Sequence, residues 1–162
     1  MVCAKNDQAH LDLAEQIRTK TAHRVYRAIV YGNIVEEAGV IKGDIGRHPT
    51  DRQRMAIVRE HGKPAVTHFR VLERFGDYTY VECKLETGRT HQIRVHMTSI
   101  GHPLVGDPKY GKRKHPFAAL ITGQALHSRS LDLIHPATGE PMHFEAPLPR
   151  DMAAILEELR KR

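Results

Sequence analysis

The run LETGRTHQIRVHM, residues 85–97, concentrates side chains that donate hydrogen bonds, and it is called the donor-rich segment below. Its polar members include Arg89, Thr90, His91, Gln92, Arg94 and His96. A guanidinium group pairs in two-point fashion with a phosphate or a carboxylate, which a lysine does not copy. The neutral donors suit a base edge or a sugar hydroxyl. The segment therefore predicts a site for an anion, either a phosphate or a buried carboxylate.

The elements on either side place this segment at a strand-to-helix junction. Residues 78–87 read as a strand, Gly88 permits a turn, and Thr90 is the predicted N-cap of a helix. Apolar residues at helical spacing follow, and Gly101 before a His-Pro pair predicts the helix end. A helix N-terminus offers free N–H groups and the positive end of a dipole, which adds to the anion-binding character.

The rest of the pattern predicts an α+β domain with a mixed, largely antiparallel sheet and flanking helices. Further strands are predicted at residues 24–32, 65–75, 126–134 and 142–146, with the end of a buried strand at 1–4. Helices are predicted from an Asp7 cap to about residue 20 and from residue 149 onward. A polar segment at 33–63 reads as short strands joined by loops, and 106–114 reads as a basic loop.

Charge and composition favour a polyanionic partner. The 162 residues carry a net charge of +6, and the sequence pI is about 9.5. Nucleic acid is the first candidate, although a basic protein without such a partner stays open. Cys3 and Cys83 lie far apart and read as reduced residues. There is no apolar run of membrane-spanning length and no secretory signal, so we expect a cytoplasmic protein.

Other chemistries fit the sequence less well. His91 and His96 are five residues apart and would lie on different helix faces, so a metal site is not expected. No G-x-S-x-G motif is present, and neither cysteine lies in an electropositive motif, which argues against a covalent hydrolase. A solvated helix face without function remains the plain alternative. Gly88 and the position at a junction count against it.

A longer run, LETGRTHQIRVHMTSIGHPLVGDPKYG (residues 85–111), closely resembles a signature of the ribosomal large-subunit pseudouridine synthases of the RluA superfamily. Further matching pieces are RVYRAIVYG (24–32), GKPAVTHF (62–69), QALHS (124–128) and His-Pro (135–136). The pieces at 47–49 and 62–68 look most like the D-type enzyme, which acts on a large-subunit ribosomal RNA stem-loop. The resemblance covers nearly the whole chain.

The resemblance implies an RNA-modifying isomerase that needs no cofactor and no metal. Such enzymes flip a uridine out of RNA; an aspartate attacks, the glycosidic bond breaks, and the base turns and rejoins through carbon. By the same resemblance Tyr26 is the active-site tyrosine that stacks on the base, and Arg94 pairs with the catalytic aspartate. The implied RNA-binding residues are Lys63, Arg89, Thr90, His91, Gln92 and His127. From the residues alone, Tyr26 as a plain strand residue and Arg94 in a structural ion pair stay open.

The sequence departs from the family pattern at the nucleophile. The family places its aspartate in a His-Arg-Leu-Asp motif, and no Arg-Leu-Asp occurs among the eight aspartates here. Asp107, in Gly-Asp-Pro, reads as a turn residue. Residues 1–162 are therefore expected to be the C-terminal portion of a catalytic domain, without the nucleophile segment or an N-terminal S4-like domain.

The resemblance and this departure lead to further expectations. The chain alone should not make pseudouridine. Arg94 should be an unpaired cation unless it is exposed, so its site should be loose or should hold a stray anion. An uncovered sheet edge would favour self-association, whereas the full-length enzyme is expected to be a monomer. The partner is expected to be large-subunit ribosomal RNA, with no membrane. The alternative readings are a non-catalytic RNA-binding module and a generic basic fold.

Overall fold

Three helices and eight strands make up the part of the chain described by the computed structural model, residues 2–112 and 114–162. In chain order they are α1 (Asp7–Arg18), β1 (His23–Tyr31), β2 (Ala38–Lys42), β3 (Ile45–Arg47), β4 (Met55–Ile57), β5 (Val66–Arg74), β6 (Tyr78–Leu85), α2 (Gln92–Ser99), β7 (Leu126–Ile134), β8 (Pro141–Glu145) and α3 (Arg150–Arg160). Six strands form one sheet in the order β2-β5-β6-β1-β7-β8, while β3 and β4 form a separate two-stranded sheet. All pairings are antiparallel, so the predicted α+β class is confirmed.

The central strand β1 separates two apolar cores because its side chains alternate between the faces of the sheet. Tyr26 and Ala28 belong to the core that includes Ile93 of α2. Ile29 and Tyr31 belong to the core that α3 covers on the opposite face. The donor-rich segment and Tyr26 are thus placed on the same face of the six-stranded sheet.

Helix α2 is short and almost entirely buried. Ile93 and Met97 pack into the core beneath it. The helix ends at Ser99, and Gly101 follows with a φ of 86°, in the left-handed region that glycine adopts without strain. The N–H of His102 donates to the carbonyl of Met97 at 2.9 Å and completes the turn. The predicted helix end is confirmed.

The observed N-caps of α1 and α2 each lie one residue away from the predicted cap. Asn6, not Asp7, caps α1, and its Oδ1 accepts the N–H of Ala9 at 2.8 Å. At α2 the cap is His91, in a left-handed conformation with φ 58° and ψ 22°, and no side chain caps the helix. Thr90 therefore precedes the cap, because the chain turns through His91 before the first helical residue.

The predicted strand end at residues 1–4 is wrong for residues 2–4. Residues 2–4 belong to no described strand, and Val2 and Cys3 are exposed. They line an open apolar groove with Phe144 of β8 instead of pairing with a strand. Met1, and Arg113 of the predicted basic loop, lie outside the described residues. No helix in the described ranges has the length and hydropathy needed to cross a bilayer.

Candidate functional site

Gln92 anchors the donor-rich segment to the edge of the sheet. It is only 3% exposed, and its Oε1 accepts the hydroxyl of Thr87 at 2.7 Å and the N–H of Arg89 at 3.0 Å. Its Nε2 donates to the carbonyl of Val66 at 2.9 Å and to Oγ1 of Thr67 at 3.0 Å. Every hydrogen-bonding position of this amide is filled internally. In this structure the amide holds the loop, and the expectation that Gln92 contacts RNA stays a prediction.

The same network continues into the core through His96. Oγ1 of Thr67 accepts a hydrogen bond from Nε2 of Gln92 and lies 2.9 Å from Nδ1 of His96. Nε2 of His96 lies 3.2 Å from the carbonyl oxygen of Gly43. A carbonyl only accepts, so Nε2 carries the proton and Nδ1 accepts from Thr67. Burial lowers the pKa of His96, although the Gly43 carbonyl opposes the shift. His96 is thus a neutral core residue.

Metal-binding side chains do not cluster in the part of the chain that is described. Across residues 2–112 and 114–162, no group of three or more histidine, cysteine, aspartate or glutamate side chains is placed to hold a metal ion. His91 and His96 instead have separate hydrogen-bond partners: Tyr110 for the first, Thr67 and Gly43 for the second.

Arg94 and Asp107 form a buried ion pair with two hydrogen bonds. Arg94 Nε and Nη2 donate to the two oxygens of Asp107, each at 2.7 Å, and the side chains are 9% and 0% exposed. Asp107 Oδ1 also accepts the backbone N–H groups of Lys109 and Tyr110. Asp107 is thus a turn residue, as predicted, and an ion-pair partner as well. The expectation that a buried Arg94 would be unpaired in a loose site is wrong, because Asp107 neutralises it.

These bonds set the charge state of Asp107. Burial acts to raise its pKa, but the Arg94 hydrogen bonds and the Lys109 and Tyr110 N–H groups outweigh burial and lower the pKa below its ordinary value. Arg94 Nη1 has no hydrogen-bond partner among residues 2–112 and 114–162 and is not fully buried. One guanidinium nitrogen of Arg94 is therefore not used by the pair with Asp107.

Tyr26 lies on β1 with its hydroxyl open. Its ring packs beside the core under α2, and within the described ranges the hydroxyl has no hydrogen-bond partner and is not fully buried. Arg24 is two residues earlier on the same strand, and its guanidinium lies against Gly88. A Cβ at Gly88 would be 2.9 Å from Arg24 Nη1. Arg24 therefore borders the donor-rich segment at Gly88, a contact that the sequence did not predict.

A cavity of about 390 Å³ lies between the β3–β4 hairpin and the donor-rich segment. Its lining is Ile45, Gly46, Arg47, Met55, His61, Lys63, Gly88, Arg89 and Thr90, with no aspartate or glutamate among these residues. We call this cavity the basic groove. Arg89 is fixed at its wall, since Nε donates to the carbonyl of Pro64 at 3.0 Å. Three arginine or lysine side chains and one histidine therefore surround a space without a compensating carboxylate.

Some of the predicted RNA-binding residues line the basic groove, and others do not. Lys63, Arg89 and Thr90 line it together. His127 does not, because β7 pairs with β1 in a register that puts His127 opposite Arg27, on the other face of the sheet from Tyr26. Its Nε2 donates to the carbonyl of Ala146 at 3.1 Å. His127 therefore lies apart from the basic groove, and its role in RNA binding stays a prediction.

Tyr110 connects the donor-rich segment to the hairpin. Its hydroxyl lies 2.8 Å from the N–H of Met55 and 2.9 Å from Nδ1 of His91. Burial lowers the pKa of His91, and the charges of Arg94 and Lys109 lower it further. His91 is therefore a neutral imidazole at the start of α2. Tyr110 lies within residues 85–111, the run that resembles the family signature, but the sequence assigned it no role.

Comparison with known proteins places this chain in a defined class. The family model for RNA pseudouridylate synthase matches residues 1–99. The chain therefore belongs to the RNA pseudouridylate synthase family.

Individual relatives agree with that class. An uncharacterised RNA pseudouridine synthase of Bacillus subtilis, YlyB, is 57% identical over 161 residues, which is 99% of this chain and 52% of the relative. The ribosomal large subunit pseudouridine synthase D of Nitrosomonas europaea is 51% identical over 165 residues, covering 99% of this chain and 47% of its own length. The chain thus spans about half the length of these relatives.

A solved human structure has the same architecture. The protein titled RNA pseudouridylate synthase domain containing 1 superimposes with a TM-score of 0.73 at 28% identity, covering 98% of this chain and 74% of that one. The arrangement of the sheet and α2 is therefore shared with a structure of the same family.

Proposed function

We propose that the chain is the part of a D-type pseudouridine synthase that holds large-subunit ribosomal RNA and lines the uridine pocket. The observation that carries this proposal is the basic groove, which has four basic side chains, no acidic one, and the donor-rich segment as a wall. Phosphate contacts of this kind position a nucleic acid without reading its sequence. Relatives named large subunit pseudouridine synthase D, at 51% and 50% identity, support the choice of RNA.

Within this proposal, residues 1–162 follow the nucleophile segment of the catalytic domain. Tyr26, with its free hydroxyl on the α2 face of the sheet, stacks on the flipped base. Arg94 Nη1 faces the carboxylate of the nucleophile, while Asp107 already holds Nε and Nη2. Arg94 would then be shared between two carboxylates, and its charge would help to keep the nucleophile ionised.

The chain by itself is proposed to be inactive. None of its eight aspartates follows Arg-Leu. Asp107 lies within residues 85–111, the run that resembles the family signature. Its side chain is fully buried and both carboxylate oxygens accept hydrogen bonds from Arg94, so it cannot approach a ribose carbon. Binding and electrostatics do not replace a covalent nucleophile. Pseudouridine formed above a no-protein control would contradict this part of the proposal.

Salt-dependent RNA binding is the direct test of the groove. Affinity for a labelled large-subunit stem-loop would be measured against salt concentration for the wild-type chain, for Lys63→Gln and for Lys161→Gln. Lys63 lines the groove and Lys161 caps α3, so both variants remove one charge and only one changes the groove. We expect Lys63→Gln to lower the salt slope by about 1, with Lys161→Gln near wild type. Equal effects would mean that only net charge matters.

A non-catalytic RNA-binding module is the second candidate, favoured by the absence of Arg-Leu-Asp from the sequence. The two candidates differ in a chimera. A segment that carries the family's His-Arg-Leu-Asp motif would be fused ahead of residue 1, with and without the motif aspartate changed to alanine. Pseudouridine formed only by the intact chimera supports the isomerase, whereas a folded, RNA-binding and inactive chimera supports the module.

A further inference from the structure

The β3–β4 hairpin reaches its position without joining the six-stranded sheet. It forms its own two-stranded sheet, and bonds to the segment after α2 hold it in place. The N–H of Met55 donates to the hydroxyl of Tyr110 at 2.8 Å, and Lys109 Nζ donates to the carbonyl of Gln53 at 3.1 Å. Met55 also packs beside Tyr110 in a small apolar cluster. The position of one groove wall therefore depends on Tyr110.

Tyr110 is also held in place by contacts with two arginines and with Asp107. Its ring is 8% exposed, with the guanidinium of Arg94 at 4.9 Å from the ring centre and that of Arg54 at 5.1 Å. The backbone N–H of Tyr110 donates to Asp107 at 3.1 Å. Asp107 is itself fixed by Arg94, so the hydroxyl is presented from a well-defined place.

The hydroxyl has one acceptor for its own proton. It already accepts the N–H of Met55, and His91 Nδ1 at 2.9 Å is its remaining partner within residues 2–112 and 114–162. With Nδ1 as the acceptor for its own proton, the Tyr110 hydroxyl satisfies both neighbours, and in that tautomer the imidazole proton is on Nε2. Nε2 has no partner among the described residues and is not fully buried. The ring of His91 is thus oriented with an N–H donor pointing outward.

We propose that Tyr110 is a positioning residue: its hydroxyl bridges Met55 of the hairpin to His91 at the start of α2, and so sets the groove for RNA. Met55 lies in one wall, and His91 follows Arg89 and Thr90 of the other. The hydroxyl therefore links Met55 directly to His91, in addition to the backbone bonds between Ile45 and Lys63 and the bond from Arg89 to Pro64. This inference rests on the proposed RNA-binding function and adds the residue that controls the groove.

The test compares Tyr110→Phe with Tyr80→Phe in the 162-residue chain. Phenylalanine keeps the ring in contact with the two arginines and deletes only the hydroxyl. Tyr80 packs on the opposite face of the sheet, and within the described ranges its hydroxyl has no hydrogen-bond partner, so it is the matched control. Three quantities are measured: hydrogen exchange of the Met55 amide, the NMR titration midpoint of His91, and the Kd for the ribosomal stem-loop.

Each quantity has an expected change for Tyr110→Phe. The Met55 amide exchanges about tenfold faster, because it loses its acceptor. The pKa of His91 rises, since a donor to the neutral ring is lost while burial, Arg94, Lys109 and Asp107 stay in place. The Kd for RNA increases about three- to tenfold, and Tyr80→Phe leaves all three at wild-type values.

The outcomes test the Met55–Tyr110–His91 hydrogen bonds and the RNA function separately. If Tyr110→Phe leaves the exchange rate of the Met55 amide and the titration midpoint of His91 unchanged, Tyr110 does not link Met55 to His91. Changes in both with an unaltered Kd would overturn its role in the groove. If the wild-type chain binds no RNA, the proposed function itself fails, and the two NMR quantities still decide whether Tyr110 bridges Met55 and His91.

Discussion

Arg94 donates from Nε and Nη2 to the two carboxylate oxygens of Asp107, each bond 2.7 Å long, with both side chains buried. The pair joins α2 to the loop that follows it, thirteen residues later in the chain. Removing one member of a buried pair leaves an uncompensated charge, so we expect either deletion to weaken the packing of this loop against α2.

Asp107→Asn should therefore destabilise the chain strongly. We expect the free energy of unfolding to fall by about 3–5 kcal/mol, because Arg94 keeps its charge without a carboxylate. Asp132→Asn is the control, since Asp132 pairs with His143 in an exposed position, and we expect a change within about 1 kcal/mol. Urea unfolding of both variants measures the difference, and similar losses would contradict the buried-pair account.

Gln92→Glu should weaken the donor-rich segment without changing the shape of the side chain. Glutamate cannot donate to the Val66 carbonyl or to Thr67, and it introduces a buried charge. We expect a loss of about 3 kcal/mol in the free energy of unfolding. The exposed Gln53→Glu serves as the control in the same urea titration. An unaffected Gln92→Glu variant would show that the amide network contributes little.

Gly106→Ala and Gly101→Ala separate backbone strain from steric contact. Both glycines have a positive φ, 71° and 86°, so either alanine costs about 1 kcal/mol in strain. A Cβ at Gly106 would lie 2.2 Å from the carbonyl oxygen of Gly123, whereas nothing lies within 4 Å at Gly101. We expect Gly106→Ala to cost about 2 kcal/mol more. Thermal unfolding gives the comparison, and equal midpoints would argue against this contact.

The buried His96 should make stability depend on pH. Its folded pKa is below the ordinary value of about 6.5, so below that pH the unfolded chain binds a proton that the folded chain does not. The free energy of unfolding should consequently fall as the pH drops from 7 to 5. In His96→Asn this slope should be shallower, while the exposed His10→Asn should keep it. Urea titrations at three pH values test the expectation.

Local patterns were enough to predict most elements but not the contacts between them. Strand β1 follows from its β-branched and aromatic content and helix α2 from helical spacing, and both signals depend on neighbouring residues. The face on which His127 lies depends on its register with β1, which the chain sets only in three dimensions. The Arg94–Asp107 pair likewise needs the turn after Gly101 to bring two distant residues together. These parts of the site were therefore not accessible from sequence.

The separation of β3 and β4 from the six-stranded sheet has an evolutionary consequence. A hairpin that shares no ladder with the main sheet can lengthen, shorten or change sequence without altering a strand register elsewhere. Mutations in Arg47 or Met55 would alter the groove, whereas mutations in β1 would alter the surroundings of Tyr26. Within the proposed function, selection could retune which RNA is chosen while the reaction pocket is inherited unchanged.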